Sequence, residues 1–233
     1  MNNIICIDGP SGAGKGTVCK LVAKELGYSY LDSGALYRIL AFVAAEHGYA
    51  NDDIGALATL AETISVEFLD DKVIYKSDDI SPLIRTEEVG AKASLLAAIP
   101  EVRTALLQMQ RQFANQDGLV ADGRDMGTVV FPDASLKIYL TASAEERARR
   151  RYFQLQETAH SSVAQNAANQ LIHKGDGDSL RALVEEIRAR DERDSNRKVS
   201  PLRPAEDAIE VDSTSMAIED VVAEVLSYWK QRS

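Results

Sequence analysis

Short apolar runs alternate with amphipathic helical patterns at both ends of the chain. Such a run fits a strand that is buried on both faces of a parallel sheet. Because strand and helix alternate, we predict an α/β fold with a doubly wound parallel sheet of about five strands, and the glycine-rich residues 9–17 make it P-loop-type. The predicted strands are residues 4–7, 28–31, 119–121, 136–140 and 209–211, and the predicted helices of this part are about 15–26, 34–47, 143–157, 178–194 and 215–230.

The middle of the chain has a different pattern. Apolar residues alternate on either side of Asp70, Asp71 and Lys72, which predicts an antiparallel hairpin over residues 64–76. Two helices should follow at about 86–98 and 100–116, the second with Pro100 in its first turn. We therefore predict one unit, residues 1–233, with a core of 1–60 and 117–233 and an inserted subdomain of antiparallel strands and helices at about 60–116. The polar segment 158–178 predicts a mobile loop.

Charge and composition narrow the classes of partner. The 233 residues carry a net charge of −10, so we expect no nucleic-acid polymer and no anionic membrane as a partner. The chain lacks a signal-peptide pattern and any apolar stretch of membrane-spanning length, which favours a cytoplasmic protein. Cys6 and Cys19 fit core positions, and the three histidines lack metal-ligand spacing.

A glycine-rich loop, residues 9–17 (GPSGAGKGT), lies between the first predicted strand and the first helix. Glycines let backbone N–H groups converge on phosphates, and the helix N-terminus favours the same anions. Lys15 would reach the β- and γ-phosphates, and Thr17 would help to orient magnesium. The usual hydroxyl follows the lysine directly, whereas here Gly16 intervenes. The alternative is a flexible turn that only caps the helix.

Asp122 ends the apolar run 119–121. In folds of this type an aspartate at that position often holds magnesium through water. The alternative is an aspartate that merely opens the turn Asp122–Gly123.

Two arginines follow predicted strand ends, where open α/β sheets bind ligands. Ser33 and Arg38 belong to the turn and helix after the second strand, and Arg124 and Asp125 follow the strand 119–121. An ion pair between the neighbours Arg124 and Asp125 is sterically awkward, so we expect each to serve something else. The alternatives are a helix cap for Ser33 and a surface salt bridge for Arg124.

Two helices carry further arginines. Arg147, Arg150 and Arg151 share one helix face, where like charges repel unless an anion compensates them. In the helix 178–194 an apolar stripe continues at heptad spacing into Arg190, Asp194 and, beyond it, Arg197. That change fits a face that leaves the core and meets a polar ligand. The alternative is a solvated basic face for the first group and ordinary surface i,i+4 pairs for the second.

Six segments together resemble the bacterial cytidylate kinases: GPSGAGKGT, LDSGALYR, IRTEEV, DGRDMGTVVFPDA, EERARRR and RDERDSNR. The resemblance covers most of the chain and implies a core, an insertion that binds a nucleoside monophosphate, and a mobile lid at about 150–178. It implies transfer of phosphate from ATP, with Mg²⁺, to CMP or dCMP, and we expect the protein to be a monomer. Another kinase of the same fold with a different small-molecule substrate is the nearest alternative; a nucleotide-dependent switch is a more distant one.

The resemblance also implies roles for particular residues. The expected ATP-binding residues are Gly9, Pro10, Ser11, Gly12, Ala13, Gly14, Lys15, Gly16 and Thr17, with Thr17 and Asp122 near the metal. The expected catalytic residues are Lys15, Arg124, Arg150, Arg151 and Arg190. The expected CMP-binding residues are Ser33, Arg38, Ser94, Arg103, Arg124, Asp125, Arg190, Asp194 and Arg197, of which Ser94, Arg103 and Asp125 would surround cytosine.

Overall fold

Five parallel strands form the centre of the computed structural model, which describes residues 3–69, 72–115, 117–159 and 176–232. The prediction of a parallel sheet of about five strands is confirmed. Numbered along the chain, the strands are β1 (Ile4–Asp8), β2 (Ser29–Asp32), β6 (Leu119–Gly123), β7 (Leu136–Thr141) and β8 (Ile209–Asp212), and they lie in the order β2-β6-β1-β7-β8.

Alternate side chains of β1 enter two different cores. Ile5 and Ile7 pack with α1 (Lys15–Leu26) and with the C-terminal helix α9 (Ile218–Arg232), whose Trp229 belongs to the same cluster. Ile4 and Cys6 face the opposite side, beside α2 (Ser33–Glu46). Cys6 and Cys19 are both buried, as their patterns predict. The sheet is thus covered on both faces, which explains why its central strands are continuously apolar.

The middle of the chain contains more structure than the sequence predicts. A helix α3 (Ile54–Thr63), which we did not predict, packs through Leu57 and Ala61 in one cluster with residues of α2 and of α6 (Pro100–Gln112). The predicted hairpin is present, and a third strand, Asp78–Asp79, pairs with it. We did not predict this third strand, because its two aspartates show no alternation of apolar residues. The remaining elements here are β3 (Glu67–Leu69), β4 (Lys72–Tyr75), β5 (Asp78–Asp79), α4 (Ser81–Ile84), α5 (Glu87–Leu96), α6 (Pro100–Gln112) and a 3-10 turn (Phe113–Asn115).

Two long helices precede and follow residues 160–175, which are part of the predicted lid. They are α7 (Ala144–Ala159) and α8 (Asp176–Ser195). The predicted loop 158–178 was too long at both ends, because residues 158–159 and 176–178 are helical. Residues 160–175 lie outside the described residues, so the lid stays a prediction, as do the boundaries of the insertion. Within the described ranges no helix is both long and apolar enough to cross a bilayer.

Candidate active site

The glycine-rich loop joins the carboxyl end of β1 to the first turn of α1. Gly14 is the N-terminal cap residue of α1 and has φ 90° and ψ 4°, a left-handed conformation that glycine adopts without steric cost. No side chain of the described residues caps this helix end. The loop therefore brings a helix N-terminus, with its backbone donors and its positive dipole end, to the edge of the sheet.

Lys15 and Asp122 meet beneath this loop. Lys15 Nζ donates to the carbonyl oxygen of Pro10 at 2.9 Å and lies 3.9 Å from Asp122 Oδ1. Burial, followed by the nearby Arg124, lowers the pKa of Lys15, while Asp122 opposes that shift. Burial raises the pKa of Asp122, and Lys15 opposes it. Each charge thus stabilises the other in a site that is poor in water.

Oxygen donors suited to a magnesium ion lie at the same place. The carboxylate of Asp122 and the residue Thr17 line one cavity beside Lys15. The described residues contain no group of three or more His, Cys, Asp or Glu side chains that could hold a metal alone. Magnesium in phosphoryl-transfer sites commonly needs only one or two protein ligands, because water and phosphate oxygens supply the rest. The residues present therefore fit this ion, and the role of Asp122 in holding it stays a prediction.

Asp8, at the end of β1, is a functional candidate that sequence reasoning missed. Its two carboxylate oxygens accept the backbone N–H groups of Met126 and Gly127, each at 2.8 Å. Burial raises the pKa of Asp8 to about 7, although these two hydrogen bonds oppose the shift. The contact fixes a π-helical turn (Met126–Val130), a rare conformation that often occurs at functional sites. Asp8 thereby positions Arg124 and Asp125, which directly precede the turn.

Asp194, in α8, is the centre of a buried ionic network. It accepts hydrogen bonds from Arg124 Nε at 3.1 Å, from Arg197 and from Ser94 Oγ at 3.3 Å. Burial raises the pKa of Asp194, but Arg124 and Arg197 outweigh burial and hold it below its usual value. The alternative of a surface salt bridge for Arg124 is wrong, because the side chain of Asp194 is only 2% exposed.

Asp125 forms a second buried ion pair, with Arg103 of α6. Arg103 also donates to the carbonyl oxygen of Ala97 at 3.1 Å, and its guanidinium lies 5.9 Å from the ring centre of Tyr37. Burial raises the pKa of Asp125 despite this partner. As expected from their adjacency, Arg124 and Asp125 bind different partners.

Arg190 differs from the other arginines of the site. Among the described residues its Nε is buried without any hydrogen-bond partner. Burial, followed by the nearby Arg124, lowers the pKa of Arg190 to about 10. A buried donor that lacks a partner is costly, so this geometry indicates that an anionic ligand would complete the site.

The arginines of α7 divide into two kinds. Arg147 is buried in contacts with the protein, including a pair with Asp191, and does not line the cavity. Arg150 pairs with Glu146 at 3.0 Å and donates to the carbonyl oxygen of Ser213, and Arg151 pairs with Glu87 of α5; both line the cavity. The alternative of a solvated basic face is therefore wrong for Arg147, whereas Arg150 and Arg151 are 25% and 30% exposed and each has an acidic partner.

Ser33 and Arg38 anchor the other end of the cavity. The Ser33 hydroxyl donates to Gln110 Oε1 at 2.8 Å, whereas Asp32 caps α2 by accepting the N–H of Ala35; a capping role for Ser33 is thus wrong. Arg38 Nη1 donates to the carbonyl oxygens of Ile84 at 2.9 Å and Thr86 at 3.0 Å. Gln110 was not predicted, because its contact with Ser33 spans 77 residues.

One cavity of about 540 Å³ collects nearly all of these side chains. Cationic groups outnumber carboxylates around it, although the whole chain is strongly acidic. Of the predicted residues, Gly9, Pro10 and Ala13 are not among its lining; their carbonyl oxygens instead accept from Arg124, Lys15 and Arg150. The predicted residues that do line it are Ser11, Gly12, Gly14, Lys15, Gly16, Thr17, Ser33, Arg38, Ser94, Arg103, Asp122, Arg124, Asp125, Arg150, Arg151, Arg190, Asp194 and Arg197.

Comparison with known proteins gives consistent matches over nearly the whole chain. The family model described as cytidylate kinase matches residues 5–182 and 161–231. A protein named cytidylate kinase from Stutzerimonas stutzeri (strain A1501) is 54% identical over 230 residues, which cover 96% of this chain and 93% of that protein. Another of that name from Aeromonas salmonicida (strain A449) is 52% identical over 236 residues, covering 100% of this chain and 96% of the relative.

Proposed function

Because the chain belongs to the cytidylate kinase family, we propose that it transfers the γ-phosphoryl group of ATP to CMP or dCMP. The products are ADP and CDP or dCDP. The observation that carries this proposal is the single cavity that joins the glycine-rich loop to the arginines of α8. Two phosphorylated ligands placed there end to end would bring their phosphates together among the cationic side chains.

The two ends of the cavity suit the two nucleotides. ATP would bind with its phosphates at the loop and Lys15, where a helix N-terminus favours anions. The phosphate of CMP would meet Arg38, Arg124 and Arg190, whose planar guanidinium groups suit bidentate contacts with phosphate. The sugar would face Asp194, since a carboxylate accepts hydrogen bonds from ribose hydroxyl groups.

The transfer itself needs little covalent chemistry from the protein. An oxygen of the CMP phosphate attacks the γ-phosphorus of ATP, the bond to the β–γ bridging oxygen breaks, and ADP leaves with that electron pair. No side-chain base is needed, because the attacking oxygen is already anionic. Catalysis then depends on alignment and on neutralising charge in the transition state, the roles proposed for Lys15, Arg124, Arg150, Arg151 and Arg190.

A divalent cation, which we propose is Mg²⁺, would bind near Thr17 and Asp122. When bound, such an ion would supply positive charge that neutralises the charge developing on the phosphate oxygens. The protein would contribute the carboxylate of Asp122 and the hydroxyl of Thr17, and it would hold Lys15 between that carboxylate and the loop.

Recognition of cytosine would depend on Ser94, Arg103 and Asp125. Together they offer a hydroxyl, a donor fork and a carboxylate to one edge of a pyrimidine. Asp125 would accept from the exocyclic amino group of cytosine, whereas uracil has a carbonyl oxygen at that position and would face the carboxylate with an unpaired acceptor. Buried polar groups left without a partner account for the strongest substrate discrimination.

A panel of nucleoside monophosphates tests the proposal. ADP release from ATP would be followed in a coupled assay with each of CMP, dCMP, UMP, AMP and GMP in turn. We expect rapid release with CMP and dCMP, and slow release with the others or without an acceptor. Release that ignores CMP would contradict the proposal, and preference for another acceptor would favour a different kinase of the same fold. The monomeric state and the cytoplasmic location stay predictions.

A further inference from the structure

The guanidinium group of Arg38 rests against the first turn of α5. Its two hydrogen bonds go to carbonyl oxygens of Ile84, at the end of α4, and of Thr86, the cap residue of α5. Thr86 O also accepts the backbone N–H of Gly90 at 3.0 Å. The guanidinium and the backbone of Gly90 therefore converge on one carbonyl oxygen.

Gly90 leaves the space that this arrangement needs. A Cβ atom built on Gly90 would lie 2.7 Å from Arg38 Nη2, and 3.0 Å from both Cζ and Nη1. These three atoms are the nearest neighbours of that position, and all belong to the guanidinium group. Any side chain at position 90 would therefore require Arg38 to move.

Helix stability does not explain a glycine here. Gly90 lies within α5, makes a regular helical hydrogen bond, and is not among the glycines of positive φ. Glycine inside a helix destabilises it by roughly 0.5–1 kcal/mol relative to alanine. The helix by itself would favour alanine, so close approach by Arg38 is the feature that requires glycine.

We propose that Gly90 is a positioning residue that keeps room for Arg38 to face the phosphate of the nucleoside monophosphate. The inference rests on the proposed function, because it takes Arg38 as a ligand of that phosphate. Arg38 lines the cavity together with Arg124 and Arg190. A displacement of about 1 Å at such a contact can lower the rate by roughly a hundredfold.

Gly90→Ala tests the proposal, with Gly55→Ala as its matched control. Gly55 also lies in a helix, α3, and, apart from its chain neighbours and the backbone of its own helix, no heavy atom of the described residues lies within 4 Å of a Cβ built there. For Gly90→Ala we expect kcat/KM for CMP to fall roughly 10- to 100-fold, mainly through KM. The KM for ATP should stay near its wild-type value, and the Tm should stay equal or rise. Gly55→Ala should leave all kinetic constants unchanged.

The double variant Gly90→Ala/Arg38→Ala separates the possible failures. If Gly90 acts through Arg38, the double variant should match Arg38→Ala alone. If Arg38→Ala has normal CMP kinetics, Arg38 does not bind the phosphate, and the inference about Gly90 fails as well. If Arg38→Ala is strongly defective and Gly90→Ala has normal kinetics, only the proposed role of Gly90 is overturned. A lower Tm with equal losses toward ATP and CMP would show a general packing role and would also overturn the inference.

Discussion

Arg147 in α7 and Arg190 in α8 are the same residue type on two helices that face each other, yet their surroundings differ. Arg147 donates to both carboxylate oxygens of Asp191, at 3.0 and 2.5 Å, and to the carbonyl oxygens of Ser11 and Ala142. Arg190 faces the cavity, and its buried Nε has no partner among the residues that the structure describes. The guanidinium of Arg147 is satisfied by the protein, whereas that of Arg190 keeps a buried N–H group without a partner among the described residues.

This difference shows how to separate structural from functional charges. A buried cation stabilises a fold only where its hydrogen bonds and its counter-charge are supplied. Arg147 meets that condition, so its removal should damage the fold. Arg190 does not, so its burial is a cost that a bound anion would offset.

Arg190→Ala should have the largest effect on activity. An arginine that meets a transferring phosphoryl group can contribute about 10³-fold or more to the rate. We therefore expect turnover with CMP to fall by about 10³-fold, whereas the Tm should be unchanged or higher because a buried cation is lost. Initial rates with saturating ATP and a thermal unfolding curve measure both.

Arg147→Ala is the matched variant, and its main effect should be on stability. Removing one partner of a buried ion pair leaves its acceptors unpaired and should lower the free energy of unfolding by about 3 kcal/mol. Chemical denaturation measures that loss. If Arg190→Ala were as destabilising as Arg147→Ala and still turned over normally, the comparison would fail.

Asp8 lies between these two cases, because its partners are supplied but burial still raises its pKa to about 7. The native state keeps a proton on Asp8 that the unfolded chain releases near pH 4. The stability due to that proton is complete below about pH 4 and is lost as the pH rises through about 7.

Asp8→Asn should remove this pH dependence. Relative to the variant, wild type should lose up to about 4 kcal/mol of unfolding free energy between pH 4 and pH 7. Denaturation at a series of pH values measures the difference. Parallel curves for the two proteins would contradict the raised pKa of Asp8.

Asp125→Asn tests the end of the cavity that we propose binds the base. If Asp125 accepts from the amino group of cytosine, the ratio of kcat/KM for CMP to that for UMP should fall by about 10²-fold. Asp207→Asn is the control, since Asp207 pairs with Lys137 and is 56% exposed. Unchanged selectivity in Asp125→Asn would defeat the assignment.

Arg188→Ala should have the smallest effect, although Arg188 lies in α8 near Arg190. It pairs with Glu145, and both side chains are more than 60% exposed, at 64% and 62%. Exposed pairs contribute little, so we expect a change within about 0.5 kcal/mol in stability and normal turnover. A large loss of activity in Arg188→Ala would contradict this comparison, because an exposed arginine outside the cavity would then matter for turnover as Arg190 does.

The sequence predicts those features that depend on local pattern. The apolar runs identify the parallel strands, the glycine spacing identifies the loop, and the change of character along α8 points to Arg190 and Asp194. Contacts between distant segments leave no such pattern. Asp8 binds backbone N–H groups 118 and 119 residues away. Glycine is needed at position 90 because the guanidinium group of Arg38 lies against it. Short elements such as β5 and the π-helical turn also lack a periodic signal.

The most direct test of one shared cavity is binding of a bisubstrate molecule, in which adenosine and cytidine are joined through a chain of phosphates. Calorimetric titration should give one molecule bound per chain, more tightly than ATP or CMP alone because the second contact is intramolecular. Protein saturated with it should bind neither ATP nor CMP. Two molecules bound per chain, or undiminished CMP binding in its presence, would contradict a single cavity that holds both nucleotides end to end.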